Sequence, residues 1–126
     1  MSGGGSWWIL VEASVGGDFR WELVRTVLAD GGRDGAVTRA AELARTSDHS
    51  GLETEDPGKY GRRVFRMTET SWIVELRESY WSDVLKDAVP SKTHLRISVG
   101  ELEHEHDTPA AVRPSKGRLR RALGGS

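Results

Sequence analysis

The sequence predicts an α+β domain: one helix packed on a mostly antiparallel sheet of about five strands, in the order ββαβββ. Three observations carry this. Residues 7–24, "WWILVEASVGGDFRWELV", and 62–81, "RRVFRMTETSWIVELRESYW", alternate apolar and polar residues around turn residues, as half-buried hairpins do. Between them "DGAVTRAAELART" places apolar residues at helical spacing. After them "THLRISVG" alternates once more.

The first hairpin turns at Gly16-Gly17. A two-residue turn there sets Val11 opposite Glu22 and Ala13 opposite Arg20, an apolar row against a charged one. A three-residue loop, Gly16-Gly17-Asp18, instead pairs Val15 with Phe19, Ala13 with Trp21, Val11 with Leu23 and Trp7 with Val27. One face then holds Trp7, Ile9, Val11, Ala13, Val15, Phe19, Trp21, Leu23 and Val27, interrupted by Arg25; a longer odd-numbered loop preserves it. This is the expected core face, with Trp21 as a large core aromatic.

Asp34 is the expected N-cap of a helix from about Gly35 to Thr46, whose stripe of Ala36, Val37, Ala40, Ala41, Leu43 and Ala44 is small enough to lie close to a bulky sheet. Residues 47–61 hold no sustained period and several turn residues, and read as a long mobile loop. In the second hairpin a tight turn at Glu69-Thr70 pairs Met67 with Trp72 and Phe65 with Val74, with Leu76 continuing the row. The run "SDVLKDAVPSK" is ambiguous between a helical turn and a loop, stopped by Pro90. Leu95, Ile97 and Val99 share one face of the last strand. Helix in place of strand over residues 18–28 would give the alternative, ferredoxin-like order βαββαβ, against which the F-x-W-x-L alternation argues. The ββαβββ order also resembles that of the β-grasp fold, but the strands here are longer and the tail ends Gly-Gly-Ser; no family is assigned.

At 126 residues the chain suits one domain. Residues 1–6 read as a disordered leader, 7–107 as the domain and 108–126 as a disordered basic tail. The absence of cysteine removes disulfides, thiol catalysis and thiolate metal sites, and points to the cytoplasm. The apolar run before Glu12 is too short for a membrane span or a signal peptide. Fourteen Arg against four Lys, with no Asn or Gln, is the composition of a GC-rich bacterial genome. The segment from Pro109 to Ser126 carries +5; since the whole chain sums to −1, the remainder carries −6.

Three kinds of site follow. His104 and His106 in "ELEHEHD" project to one side of a strand, but two ligands do not make a metal centre, and a solvated strand end is the preferred reading. In the expected register Glu12 and Glu22 are cross-strand neighbours off the core face, able in principle to split their pKa values as an acid and a base. No nucleophile elbow or glycine-rich phosphate loop is present, so no catalytic residue and no cofactor are assigned. The remaining feature is the second sheet face. Trp8, Leu10, Val24, Leu28, Val64 and Ile73 fall off the core row, beside Tyr80 and Trp81, and one helix covers only one face. The expected function is therefore a non-catalytic protein-binding or assembly module, a homodimer or a binder of another protein, with Trp8, Leu10, Val24, Ile73 and Trp81 as interface candidates. The alternatives are a small enzyme or ligand-binding protein with a pocket between helix and sheet, and a nucleic-acid-associated protein whose tail residues Arg113, Lys116, Arg118, Arg120 and Arg121 bind phosphates.

Overall fold

A computed structural model describes residues 5–15 and 20–114. Strands β1 (Trp7–Val15) and β2 (Arg20–Ala29) precede helix α1 (Gly32–Thr46); a single 3-10 turn (Pro57–Lys59) leads into β3 (Gly61–Thr68), β4 (Ser71–Ser82) and β5 (Asp87–Glu101). The five strands form one antiparallel sheet in the order β2-β1-β5-β4-β3, so the ββαβββ order and the α+β class hold. The ferredoxin-like alternative fails because residues 20–29 are strand.

Period-2 alternation places the core on one face. Ile9, Val11 and Ala13 of β1, Trp72, Val74 and Leu76 of β4, and Leu95 and Ile97 of β5 are buried there under Ala36, Ala40, Leu43 and Ala44 of α1. The helix begins earlier than expected: Gly31, in the left-handed region at φ 84°, occupies the N-cap, and Asp34 lies in the first turn. At the other end Arg62 of β3 donates to the carbonyls of Ala44 (3.0 Å) and Ser47 (2.6 Å), satisfying groups the helix leaves open. Arg62→Ala is expected to lower stability by about 2–3 kcal/mol in urea unfolding, and Arg62→Lys to recover only part of it, because an ammonium lacks the planar fork.

The second hairpin differs from the expected register by one β-bulge, and the first by one bulge and by a connection of four residues in place of an odd-numbered loop. In the first, Val11 faces Arg25 rather than Leu23, Ala13 faces Glu22 rather than Trp21, and Trp7 faces Ala29 rather than Val27, with Val24 extra between Arg25 and Leu23. Val15 faces Arg20, so four residues connect the strands; these, including Phe19, lie outside the described residues. Between Arg25 and Ala29, β2 keeps the parity of an odd loop and sends Val27 to the core; beyond the bulge the parity inverts, and Trp21 and Leu23 turn to the opposite face. The expected Glu12–Glu22 pairing fails for the same reason, since Glu12 faces Leu23.

In the second hairpin the tight turn at Glu69-Thr70 is present, with Thr68 facing Ser71, but Met67 is extra, so Arg66 faces Trp72, Val64 faces Val74 and Phe65 faces Ile73. Val64 thus shares the core side, against expectation, while Phe65 leaves it. Both bulges fall on the sheet's edge strands, where they also discourage edge-to-edge pairing. They put arginines on the helix side of the sheet margins: Arg25 donates to the Gly51 carbonyl (3.1 Å) and pairs with Glu53 (3.0 Å), and the Arg66 guanidinium lies 5.2 Å from the Trp72 ring centroid.

Two expected loops carry more structure than their composition implied. Between α1 and β3, Asp48 accepts bonds from the Ser50 and Leu52 N–H groups, and Ser47 bridges to Glu53. Gly51, at φ 83°, lies so close that an added Cβ would stand 2.7 Å from Val11 Cγ1. The ambiguous run before residue 92 is a ribbon: β4 continues to Ser82 and β5 starts at Asp87, passing through Pro90, which faces Ser79. Proline is tolerated there because β1 pairs with β5 only from Leu95 onward, leaving that side of the chain without a ladder to interrupt. Residues 78–82 and 87–91 therefore form a two-stranded arm beyond β1 and β3, with Trp81 63% exposed and Val84, near its tip, 90% exposed.

Candidate functional site: the open sheet face

Paired residues in an antiparallel ladder share a face, so the register fixes the surface opposite the helix. One end holds Trp8 opposite Leu28 and Gly100, then Leu10 opposite Thr26 and Ser98. The middle row runs Leu23, Glu12, Arg96, Ile73, Phe65. Trp21, Ser14, His94, Glu75 and Arg63 follow, then Lys92 opposite Arg77, and on the arm Trp81 opposite Ala88. Leu28 and Leu23 are each 54% exposed and Phe65 48%, values that mark a face with nothing over it among the described residues.

Three of the expected interface residues, Trp8, Leu10 and Ile73, lie on this face. Trp81 lies on its far extension. Val24 sits at the bulge and approaches Gly51, on the helix side of the sheet. Of the tail residues, Arg113 is exposed beyond the last strand, and Lys116, Arg118, Arg120 and Arg121 lie outside the described residues. The members that sequence reasoning missed are Trp21, Leu23 and Phe65, moved here by the bulges, and the charged residues between them.

Those charges form two groups. Arg96 grips Glu12 with both ends of its guanidinium, at 2.9 and 3.0 Å, and lies 4.7 Å from the Trp21 ring centroid. The hydrogen bond from Arg96 holds the Glu12 carboxyl below its ordinary pKa, against a smaller opposing effect of burial. A depressed carboxylate stabilises the fold above the ordinary carboxylate range and loses that contribution as pH falls through the lowered value. Glu12→Gln is accordingly expected to cost about 1 kcal/mol at neutral pH, the partial exposure of the pair limiting the effect, and progressively less as the pH falls below the ordinary carboxylate range; urea midpoints at neutral and acid pH check it.

The second group surrounds Glu75, whose side chain is only 17% exposed. Arg77 Nε, His94 Nε2, Lys92 Nζ and Arg63 Nε stand 3.7, 3.7, 3.9 and 4.0 Å from its oxygens. One carboxylate thus faces three permanent cations.

At the opposite end a groove of about 280 Å³ opens between Trp8, Leu10, Thr26, Gly100, Leu102 and Glu105. Leu102 donates its N–H to the Ser6 carbonyl, which brings the chain after β5 along the groove's rim. Chemically the face offers apolar area and fixed charge: Glu12, the acid–base candidate, is neutralised by Arg96. His104 and His106 are exposed, and among the described residues no three His, Cys, Asp or Glu side chains gather to hold a metal ion. Among the described residues, too, no helix is long and apolar enough to cross a membrane. No protein-family model, curated protein or solved structure matches the chain.

Proposed function

We propose that this protein is a non-catalytic assembly module that pairs with a second copy of itself through the open face of its sheet. The observation that carries the reading is the gathering of Trp8, Leu10, Trp21, Leu23, Leu28, Phe65 and Ile73 on the face opposite α1. Leaving such side chains in water forgoes roughly 25 cal/mol for each Å² that contact would bury.

Size supports the same reading. Five strands at ~4.8 Å spacing and eight residues at ~3.4 Å make a plane of roughly 24 by 27 Å, about 650 Å² before the arm and side-chain relief are added. Stable interfaces bury about 800 Å² per partner, so the face is large enough to hold two copies together. On the helix side Ala36, Ala40, Leu43 and Ala44 lie directly on the sheet, while a cleft of about 500 Å³ opens between the helix and the sheet margin at Val37, Ala41, Glu42, Arg45, Arg66 and Trp72, with Glu42 as the one carboxylate among its described lining residues.

Sedimentation equilibrium between about 1 and 100 μM tests the proposal. The expected result is a mass twice the 13.9 kDa of one chain. A single-chain mass throughout would leave the face to a different protein.

A further inference from the structure

We infer that the two copies lie antiparallel, so that Trp81 of each meets the Leu102 rim of the other's groove while the acidic segment after β5 meets the cations around Glu75. This inference rests on the self-association proposed above and specifies its geometry.

The face has a charge direction. At one end Arg63, Arg77 and Lys92 crowd Glu75, and none of the three makes a side-chain hydrogen bond among the described residues. Their distances of 3.7–4.0 Å exceed those of charge-assisted hydrogen bonds, so their donors are free for another acceptor. At the other end Glu101, Glu103, Glu105 and Asp107 are exposed and enter no ion pair among the described residues. Glu105 lines the groove with Leu10 and Thr26, which places a carboxylate over the open face.

A surface that is basic at one end and acidic at the other repels a parallel copy and attracts an antiparallel one. A two-fold axis crossing the strands supplies that reversal, because each contact it makes occurs twice with the roles exchanged.

The apolar features fall into the same arrangement. Trp81 faces Ala88, and the groove is closed by Leu102. An axis crossing β5 near Leu95 lays position 88 of one copy over position 102 of the other. It also lays Lys92 over Ser98, the partner of Leu10 in the ladder, where Glu105 lies. One axis therefore brings an exposed indole beside Leu102, at the β4 side of the groove's rim, and brings opposite charges together. The arm explains the reach: from Glu78 onward β4 is paired only with β5, so Trp81 stands outside the body of its own copy.

Charge exchange between copies tests the arrangement. One variant carries Arg77→Glu with Lys92→Glu, making both ends acidic; the other carries Glu103→Lys with Glu105→Lys, making both ends basic. Each alone is expected to self-associate at least about tenfold more weakly than the wild type, and an equimolar mixture to recover the two-chain mass by sedimentation. Circular dichroism establishes that each is folded, and Trp81→Ser, which lies off the body, is expected to weaken association by about tenfold on its own. Wild-type-like association of both charge variants and of Trp81→Ser, or a mixture no tighter than its components, would overturn the antiparallel arrangement while leaving self-association standing. A wild type that is monomeric at about 100 μM would remove both.

Discussion

Trp72→Ala is expected to lower stability by about 3–5 kcal/mol, whereas Trp21→Ala costs about 1 kcal/mol. Trp72 is 4% exposed and packs among the buried residues of the core, so truncation removes a large apolar surface and leaves a cavity. Trp21 lies on the other side of the sheet, partly exposed, and contacts the guanidinium of Arg96 at 4.7 Å from ring centroid to Cζ. Its loss withdraws one cation–π contact and no core volume. Urea unfolding of the two variants measures both quantities, and equal losses would contradict the bulge that separates these tryptophans.

Trp8→Glu combined with Leu10→Lys is expected to yield a folded monomer. Both side chains line the groove at the apolar end of the open face, while their neighbours Ile9 and Val11 point into the core and are untouched. A charge in the centre of a desolvated contact costs several kcal/mol unless paired, enough to raise a micromolar dissociation constant beyond reach. Light scattering gives the mass and circular dichroism the fold. A two-chain mass in the double variant would place the contact elsewhere.

The element order was legible because periods of 2 and 3.6 are written directly in the residues, and Ile9, Val11, Ala13, Val74, Leu76, Leu95 and Ile97 are spaced by two along their strands. Face assignment on β2 and β3 was not legible. A bulge consumes one residue, Val24 or Met67, and inverts every side chain beyond it, yet neither residue type announces it. Alternation therefore assigned Trp21, Leu23 and Phe65 to the core. Arg25, which already interrupted the expected apolar row, was the available signal: its bond to Gly51 requires a loop that composition alone did not bring near.

The open face itself followed from counting coverage, one helix against two faces. Its charge direction does not follow, because proline by composition alone reads as a stop at Pro90. Carrying β5 through Pro90 would have aligned Lys92 with Arg77 and His94 with Glu75. Proline ends a strand only where its missing N–H interrupts a ladder, and here β1 has already ended.

The chain contains no cysteine, so a single introduced thiol reports the position of the contact without background. Sheets packed face to face stand about 10 Å apart, too far for a disulfide but within reach of a bis-maleimide of about that length. Ile73→Cys lies in the middle row of the open face; Thr38→Cys is exposed on α1. The account predicts that the reagent joins two Ile73→Cys chains covalently and leaves Thr38→Cys single. Joining at Thr38 with none at Ile73 would contradict it.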